Sequence, residues 1–369
     1  MHVSALPKRW LYMLLRFVLV GFLSGLTGLG IGAGESRFTE LDPQSGYTLA
    51  LWQKDSRLPP GLESIETKHG GHDHAPKAAP AEAPAHEKNV AALRYRWSSD
   101  TTLEFIKYRA VNVEKAFEIN DSPGGHLHGT IDEWFIIQRI GYEISADLGV
   151  GVSQNFRRLR DRNVTDPLNQ GVEQKAQGFG DIVLDIKYRF MRQGDTFPVD
   201  LSVYANIKAP TGENDERDPF GVLFDTHDQP GSGSWDGGMG IVASRRWGRW
   251  SASGSFGFSI RGEGDREFKS GDSVRLTLSA GRQLLPECWG WKMDANLGVS
   301  GIYEYEGRDM GEVDRNHGGK FVVVEPSIAV HPINRLTLTV SAPLPVYQEF
   351  NGTHQKQAYG IQFNIGVRF

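Results

Sequence analysis

A single cysteine, Cys288, stands in 369 residues, so no internal disulfide, CxxC redox pair or cysteine-rich zinc site can form within the chain. Long hydrophobic runs are missing too. Beyond the first thirty-odd positions nothing approaches the roughly twenty apolar residues that a membrane helix needs, which excludes a polytopic helical transporter. There is no excess of basic charge: 40 Lys and Arg face 45 Asp and Glu, leaving a net -5 and no footprint for nucleic acid as a partner. Glycine, by contrast, is plentiful. Its 44 residues are about 12 % of the chain against about 7 % on average, without a G-X-Y period, which points to turn-rich β structure.

Residues 1–34 carry Lys8 and Arg9, then an apolar stretch broken by Arg16, then Gly32, Ala33 and Gly34. That is the pattern of a secretory signal peptide cleaved after Ala33 or Gly34. Its removal takes three cations and no carboxylate, moving the net charge from -5 to -8. Residues 35–101 form a separate His/Ala/Pro-rich extension, with KHGGHDHAPKAAPAEAPAHEK from Lys68 to Lys88 at its centre. It holds too few large apolar groups to offset chain-ordering entropy, so a largely disordered periplasmic segment is expected.

From residue 102 to 369 the chain alternates with a period of two. In Ala358 to Phe369 the apolar set is Tyr359, Ile361, Phe363, Ile365, Val367 and Phe369, and the residues between them are small or polar. Similar alternation gives twelve strands, at 102–113, 131–140, 146–158, 180–192, 199–209, 235–247, 250–261, 272–284, 291–305, 320–331, 336–346 and 358–369. Their connections alternate short and long. Strands of about ten residues, an even number of them and this asymmetry predict an all-β fold: a transmembrane, antiparallel up-and-down outer-membrane β-barrel with short periplasmic turns and long extracellular loops. An exported β-sandwich is the competing fold, but its strands are typically about five or six residues. Trp134, Trp235, Trp247, Trp250, Trp289, Trp291, Tyr303, Tyr305 and Tyr359 fall near strand ends, where interfacial girdles belong. The strand ending on Phe369 is similar to the C-terminal signature read by the outer-membrane assembly machinery, which is an expected partner along with outer-membrane lipid. The expected location is the outer membrane of a Gram-negative bacterium.

Two segments, GFGDIVLDIKYRF (Gly178 to Phe190) and VDLSVYANIKAPTGEND (Val199 to Asp215), carry a G-x-G-D strand followed by a strand ending in the Pro210, Thr211, Gly212 turn. They resemble the outer-membrane transporter family of the MetA pathway of phenol degradation, over about residues 131–369. The resemblance implies a barrel of about twelve strands that moves a small solute, with hydrophobic or aromatic compounds among the candidates. The His-bearing extension departs from the family pattern.

With Ile182, Leu184, Ile186, Tyr188 and Phe190 turned to lipid, Asp181, Val183, Asp185, Lys187 and Arg189 line the lumen. The same rule sends Asp200, Tyr204, Lys208, Arg275, Lys292, Asp294, Glu304, Gln362, Asn364 and Arg368 inward. Such charges either border a narrow water path or fill the barrel as structural ladders. The loops at 159–179 and 210–234 are the candidates to fold in. His69, His72, His74 and His86 form a candidate metal-ligating set, with Asp73 as an oxygen donor and zinc or copper as the ion; His126 and His128 offer a smaller version. No G-x-S-x-G elbow accompanies any serine, and an enzyme is not expected. The leading expectation is a channel or transporter for a small solute. The alternatives are a metal-handling barrel with an ion-capturing extension and a non-conducting structural or enzymatic barrel.

Overall fold

The structure, a computed structural model, describes residues 96–121, 127–164, 167–194, 196–285 and 291–369. The signal peptide, the extension as far as residue 95 with His69, His72, His74 and His86, His126 and Trp289 lie outside the described residues; positions 97–101, expected in the extension, are the start of the first barrel strand.

Antiparallel pairing runs in chain order through β1 (Trp97–Tyr108), β2 (Asp132–Glu143), β3 (Leu148–Arg162), β4 (Glu173–Met191), β5 (Asp200–Ala209), β6 (Asp236–Trp247) and β7 (Trp250–Ile260). After a two-residue strand, β8 (Phe268–Lys269), it continues through β9 (Ser273–Gln283) and β10 (Lys292–Glu304). Two further short strands, β11 (Gly307–Asp309) and β12 (Glu312–Asp314), pair with each other, and β11 also pairs with β8, outside the main sheet. The wall is completed by β13 (Gly319–Ile333), a stave made of β14 (Leu336–Ser341) and β15 (Leu344–Phe350), and β16 (Gln357–Arg368). β16 pairs with β1 from Ser98↔Arg368 to Tyr108↔Gln357, so the sheet closes and leaves no free edge. The result is a closed barrel of twelve staves.

Closure dictates which side chains are covered. Leu184, Ile186, Phe256, Leu278, Val340, Phe363 and Ile365 are exposed on the outer face, while Thr102, Glu104, Arg139, Asp185, Lys187, Ser300, Glu325 and Gln362 are buried within. A polar interior inside an apolar belt is the inverse of a soluble protein and suits a bilayer. Exposed aromatics ring both ends of the belt. Trp97, Trp247, Trp250 and Trp291 stand at the end carrying the short turns, and Trp134, Trp235, Tyr303, Tyr305 and Tyr359 at the other. Phe105 packs between Trp134 and Tyr359, with ring centroids 4.7 and 6.3 Å away.

Three differences from the sequence expectation bear on the site. The first strand is Trp97–Tyr108, five residues earlier than 102–113, because β16 fixes its register. The G-x-G-D strand begins at Glu173, pairing as far as Arg162↔Glu173, so 159–179 is mostly wall rather than an infolded loop. The stave expected at 336–346 is split at Ala342 and Pro343, since proline has no N–H to donate to the ladder; Ala342 N–H donates instead to Pro326 O at 3.0 Å. The first long loop also contains a short helix, α1 (Val113–Asn120), capped by the Asn112 side chain, which accepts from Lys115 N–H at 2.8 Å.

Candidate functional site

The inner wall is a stack of charge pairs. Midway along it, Arg139 of β2 reaches over Gly151 of β3 to Asp185 of β4, donating through Nε at 3.0 Å and Nη2 at 2.6 Å. The span requires glycine, because a Cβ at 151 would lie 2.2 Å from Arg139 Nη2. Towards the periplasmic turns, Arg189 meets Asp147 at 2.8 Å and Asp200 at 3.6 Å. Glu104, fully buried, accepts from Gln362 at 2.9 Å across the β1–β16 seam. His331 bridges Asp294 at 3.1 Å and Thr337 at 3.0 Å. Asp181, Asp185, Lys187, Arg189, Asp200 and Lys208 are buried. Tyr204, Arg275, Lys292, Asp294 and Glu304 are partly covered.

Residues 210–235, between β5 and β6, fold against the inner wall in the extracellular half. The G-x-G-D carboxylate holds this strap. Asp181 Oδ1 accepts from Thr211 N–H at 3.1 Å and Gly212 N–H at 2.9 Å, while Oδ2 accepts from Ser232 N–H at 3.0 Å and Ser232 Oγ at 2.7 Å. One side chain therefore secures both ends of the loop. Gly212 and Gly231 touch backbone to backbone there, and a Cβ on Gly231 would fall 2.6 Å from Gly212 Cα. Lys208 sits beneath, 3.2 Å from Asp181 and 2.7 Å from Asp236, and it also donates to Ser232 Oγ.

Further along the strap, Arg157 of β3 donates to His227 O and Gln229 O, both at 2.8 Å, and to Glu133 at 2.7 Å. Gln229 is buried and binds Glu216 N, Glu216 O and Phe224 O. Phe224 packs inward on Leu159 and Ala176. An apolar cluster lies in the interior: Ile106, Phe135, Ile137, Ile302, Phe321 and Val323, with the guanidinium of Arg157, which grips the strap, 5.9 Å from the centre of the Phe135 ring.

At the mouth the strap meets the first loop. Asn120, at the end of α1, donates to Leu127 O at 2.9 Å and Val164 O at 3.2 Å and accepts from Leu127 N–H at 2.7 Å, fixing the backbone next to His128. His128 Nε2 faces His227 Nε2 at 2.8 Å, and His128 Nδ1 lies 3.3 Å from Asp228. His317, bonded through Nδ1 to Asp314 at 2.6 Å, stacks edge-on to His227 at 5.5 Å and to His354 at 5.8 Å. Burial pulls the His128 imidazole down, but Asp228, Asp161 and Asp225 outweigh it and raise the pKa to about 9. Burial works against ionisation of Asp228, and His128 and His227 overcome it, holding that carboxyl well below its usual range. His354 is lowered, chiefly by burial.

Sequence reasoning missed Arg139, Arg157, Glu104 and Glu325, whose segments it read only for period, and the Asp225, His227, Asp228 group. The string Asp225-Thr226-His227-Asp228 was a visible signal, three candidate ligands in four residues, comparable with the HGGHDH tract.

A closed twelve-stave barrel with a lipid-facing apolar belt and a charged interior defines an outer-membrane β-barrel protein of Gram-negative type. The chain belongs to the family described as "Putative MetA-pathway of phenol degradation", whose model matches residues 118–365. Among solved structures it is similar to an outer membrane channel from Pseudomonas putida F1, with 13 % identity, a TM-score of 0.56, and 74 % of this chain covering 96 % of that one. At that identity the likeness is one of fold. A looser likeness links it to the β domain of the Bordetella autotransporter BrkA, at 11 % identity and a TM-score of 0.43, covering 74 % of this chain and 99 % of that one. No curated protein matches the sequence.

Proposed function

We propose that this barrel passes a small solute across the outer membrane through a gated lumen, with residues 210–235 as the gate. The observation that carries the reading is the double anchorage of that strap by Asp181, at Thr211–Gly212 and again at Ser232, inside the extracellular half of a closed barrel. A segment that only decorated the surface would have no need of a buried carboxylate and lysine beneath it. Twelve strands stand between small barrels filled by their own side chains and the wide porins, so moving one strap changes a large part of the cross-section. The buried cluster of Ile106, Phe135, Ile137, Ile302, Phe321 and Val323, linked to the strap through Arg157, would present an apolar surface once the strap moves, and this supports a solute with a hydrophobic or aromatic part. The charge pairs below it give polar groups a stepwise path. No chemical transformation is assigned to the barrel.

Solute uptake by proteoliposomes tests this. Vesicles carrying the folded protein should admit small aromatic acids and alcohols faster than protein-free vesicles. Uptake no faster than the control, in the wild type and in a variant whose strap is released, rejects the channel.

A further inference from the structure

We propose that His128, Asp225, His227 and Asp228 form a site for a divalent first-row transition ion of the zinc class at the extracellular mouth. Each of the four offers one donor atom, and these atoms all lie within 4.8 Å of one another. Two imidazole nitrogens and two carboxylate oxygens suit zinc, with nickel and copper also bound by such donors. Around a tetrahedral ion with ligands at about 2.0–2.2 Å, donor atoms stand roughly 3.3 Å apart. The 2.8 Å gap between the two Nε2 atoms needs only to open slightly, and the carboxylates need only to swing in.

Three features make this more than a polar cluster. The donors come from different loops, each locally fixed: the Asn120 clamp sets the backbone at His128, and Arg157 grips the carbonyl of His227. Two imidazoles point ring nitrogens at each other, so at least one of them must supply a proton that an ion would replace. Asp228 lies 3.3 Å from Nδ1 of His128, so its carboxylate already stands beside the imidazole with which it would share the ion. Asp225 is exposed and gives an ion access from solvent, whereas Asp228 is buried. An ion here would tie the first loop to the strap and hold the mouth shut. Ion binding does not depend on the channel reading, since the site is complete whether or not solute passes beneath it.

The test uses the full chain with His69, His72, His74 and His86 changed to Ala, so that the extension cannot bind the probe. The folded protein in detergent, stripped with chelator, is titrated with Co(II), whose visible absorption reports coordination, and then with Zn(II) in competition. One ion per chain with imidazole-ligated cobalt bands is expected, displaced by zinc. Adding His227→Ala should abolish binding. Asp228→Asn removes one anionic ligand and should weaken binding by at least about tenfold, the least that loss of even an orienting partner costs. Should His227→Ala fail to fold, judged by unchanged mobility on heating, the exposed Asp225→Asn decides, with an expected loss of at least about tenfold. No cobalt binding by the tract-substituted chain overturns the proposal. So does binding that Asp225→Asn and His227→Ala, both folded, leave unchanged.

Discussion

At the periplasmic end, strands are joined by turns as tight as 248–249 and 334–335, and the chain termini of the barrel pair as backbone, Trp97 N–H with Phe369 O at 3.1 Å and Phe369 N–H with Trp97 O at 3.0 Å. At the extracellular end, the long connections are held by side chains far apart in sequence: Asp181 on Ser232, Arg157 on Gln229, Gln355 on Thr130 O at 2.7 Å. The first kind of end is assembled chiefly by the ladder, with Arg189 and Arg192 on Asp147 tightening one turn. The second depends on particular buried groups satisfied by distant partners, and such ends are sensitive to single changes. Gating belongs where the restraint is a few side chains rather than a sheet.

The contrast can be broken most severely at Arg157. Its removal leaves Glu133 buried without its 2.7 Å cation and frees two strap carbonyls, so Arg157→Ala should cost about 3–5 kcal/mol in reversible unfolding by urea. A cost below about 1 kcal/mol would mean that the mouth does not depend on it. The outer wall provides a reference independent of either end: Phe363→Arg, on the lipid face, should cost about 2–4 kcal/mol in lipid vesicles if it sits near the bilayer middle. Asp181→Asn keeps the volume but removes one acceptor of Ser232 and the charge facing Lys208, for an expected loss of about 1–3 kcal/mol, read by the same unfolding curves. Smallest should be the periplasmic pair. Arg192, more than half exposed, donates to Asp147 at 2.7 Å, and Arg192→Ala should shift stability by less than about 1 kcal/mol and lose even that in high salt. If Arg192→Ala proved as costly as Arg157→Ala, the distinction between the ends would fall.

The outer wall was legible in the sequence because lipid imposes one rule on every outward residue. Leu184, Ile186, Tyr188 and Phe190 obey it, and their alternation with Asp185, Lys187 and Arg189 set the register of β4. The first strand was shifted because its inner face carries apolar Ile106 and its outer face carries Lys107, which blurs the alternation. The interior was legible only as a set of charges. Which acid meets which base depends on the stagger between strands: Arg139 bypasses β3 altogether to reach Asp185, and nothing local announces that crossing. The mouth was least legible. His128 and His227 are separated by 99 positions, and their meeting at 2.8 Å is a product of two loops folding inward together. The G-x-G-D and P-T-G motifs were visible as strings; their physical content, one carboxylate fastening a loop at both ends, needed the fold.

The central claim is that residues 210–235 are a gate secured by Asp181, and single-channel recording in planar bilayers tests it most directly. The wild type should show low conductance with rare openings, and Asp181→Asn, folded to the same extent by heat-dependent mobility, should open more often and to a larger conductance. Identical traces from the two folded proteins, whether both silent or both open, would contradict the account.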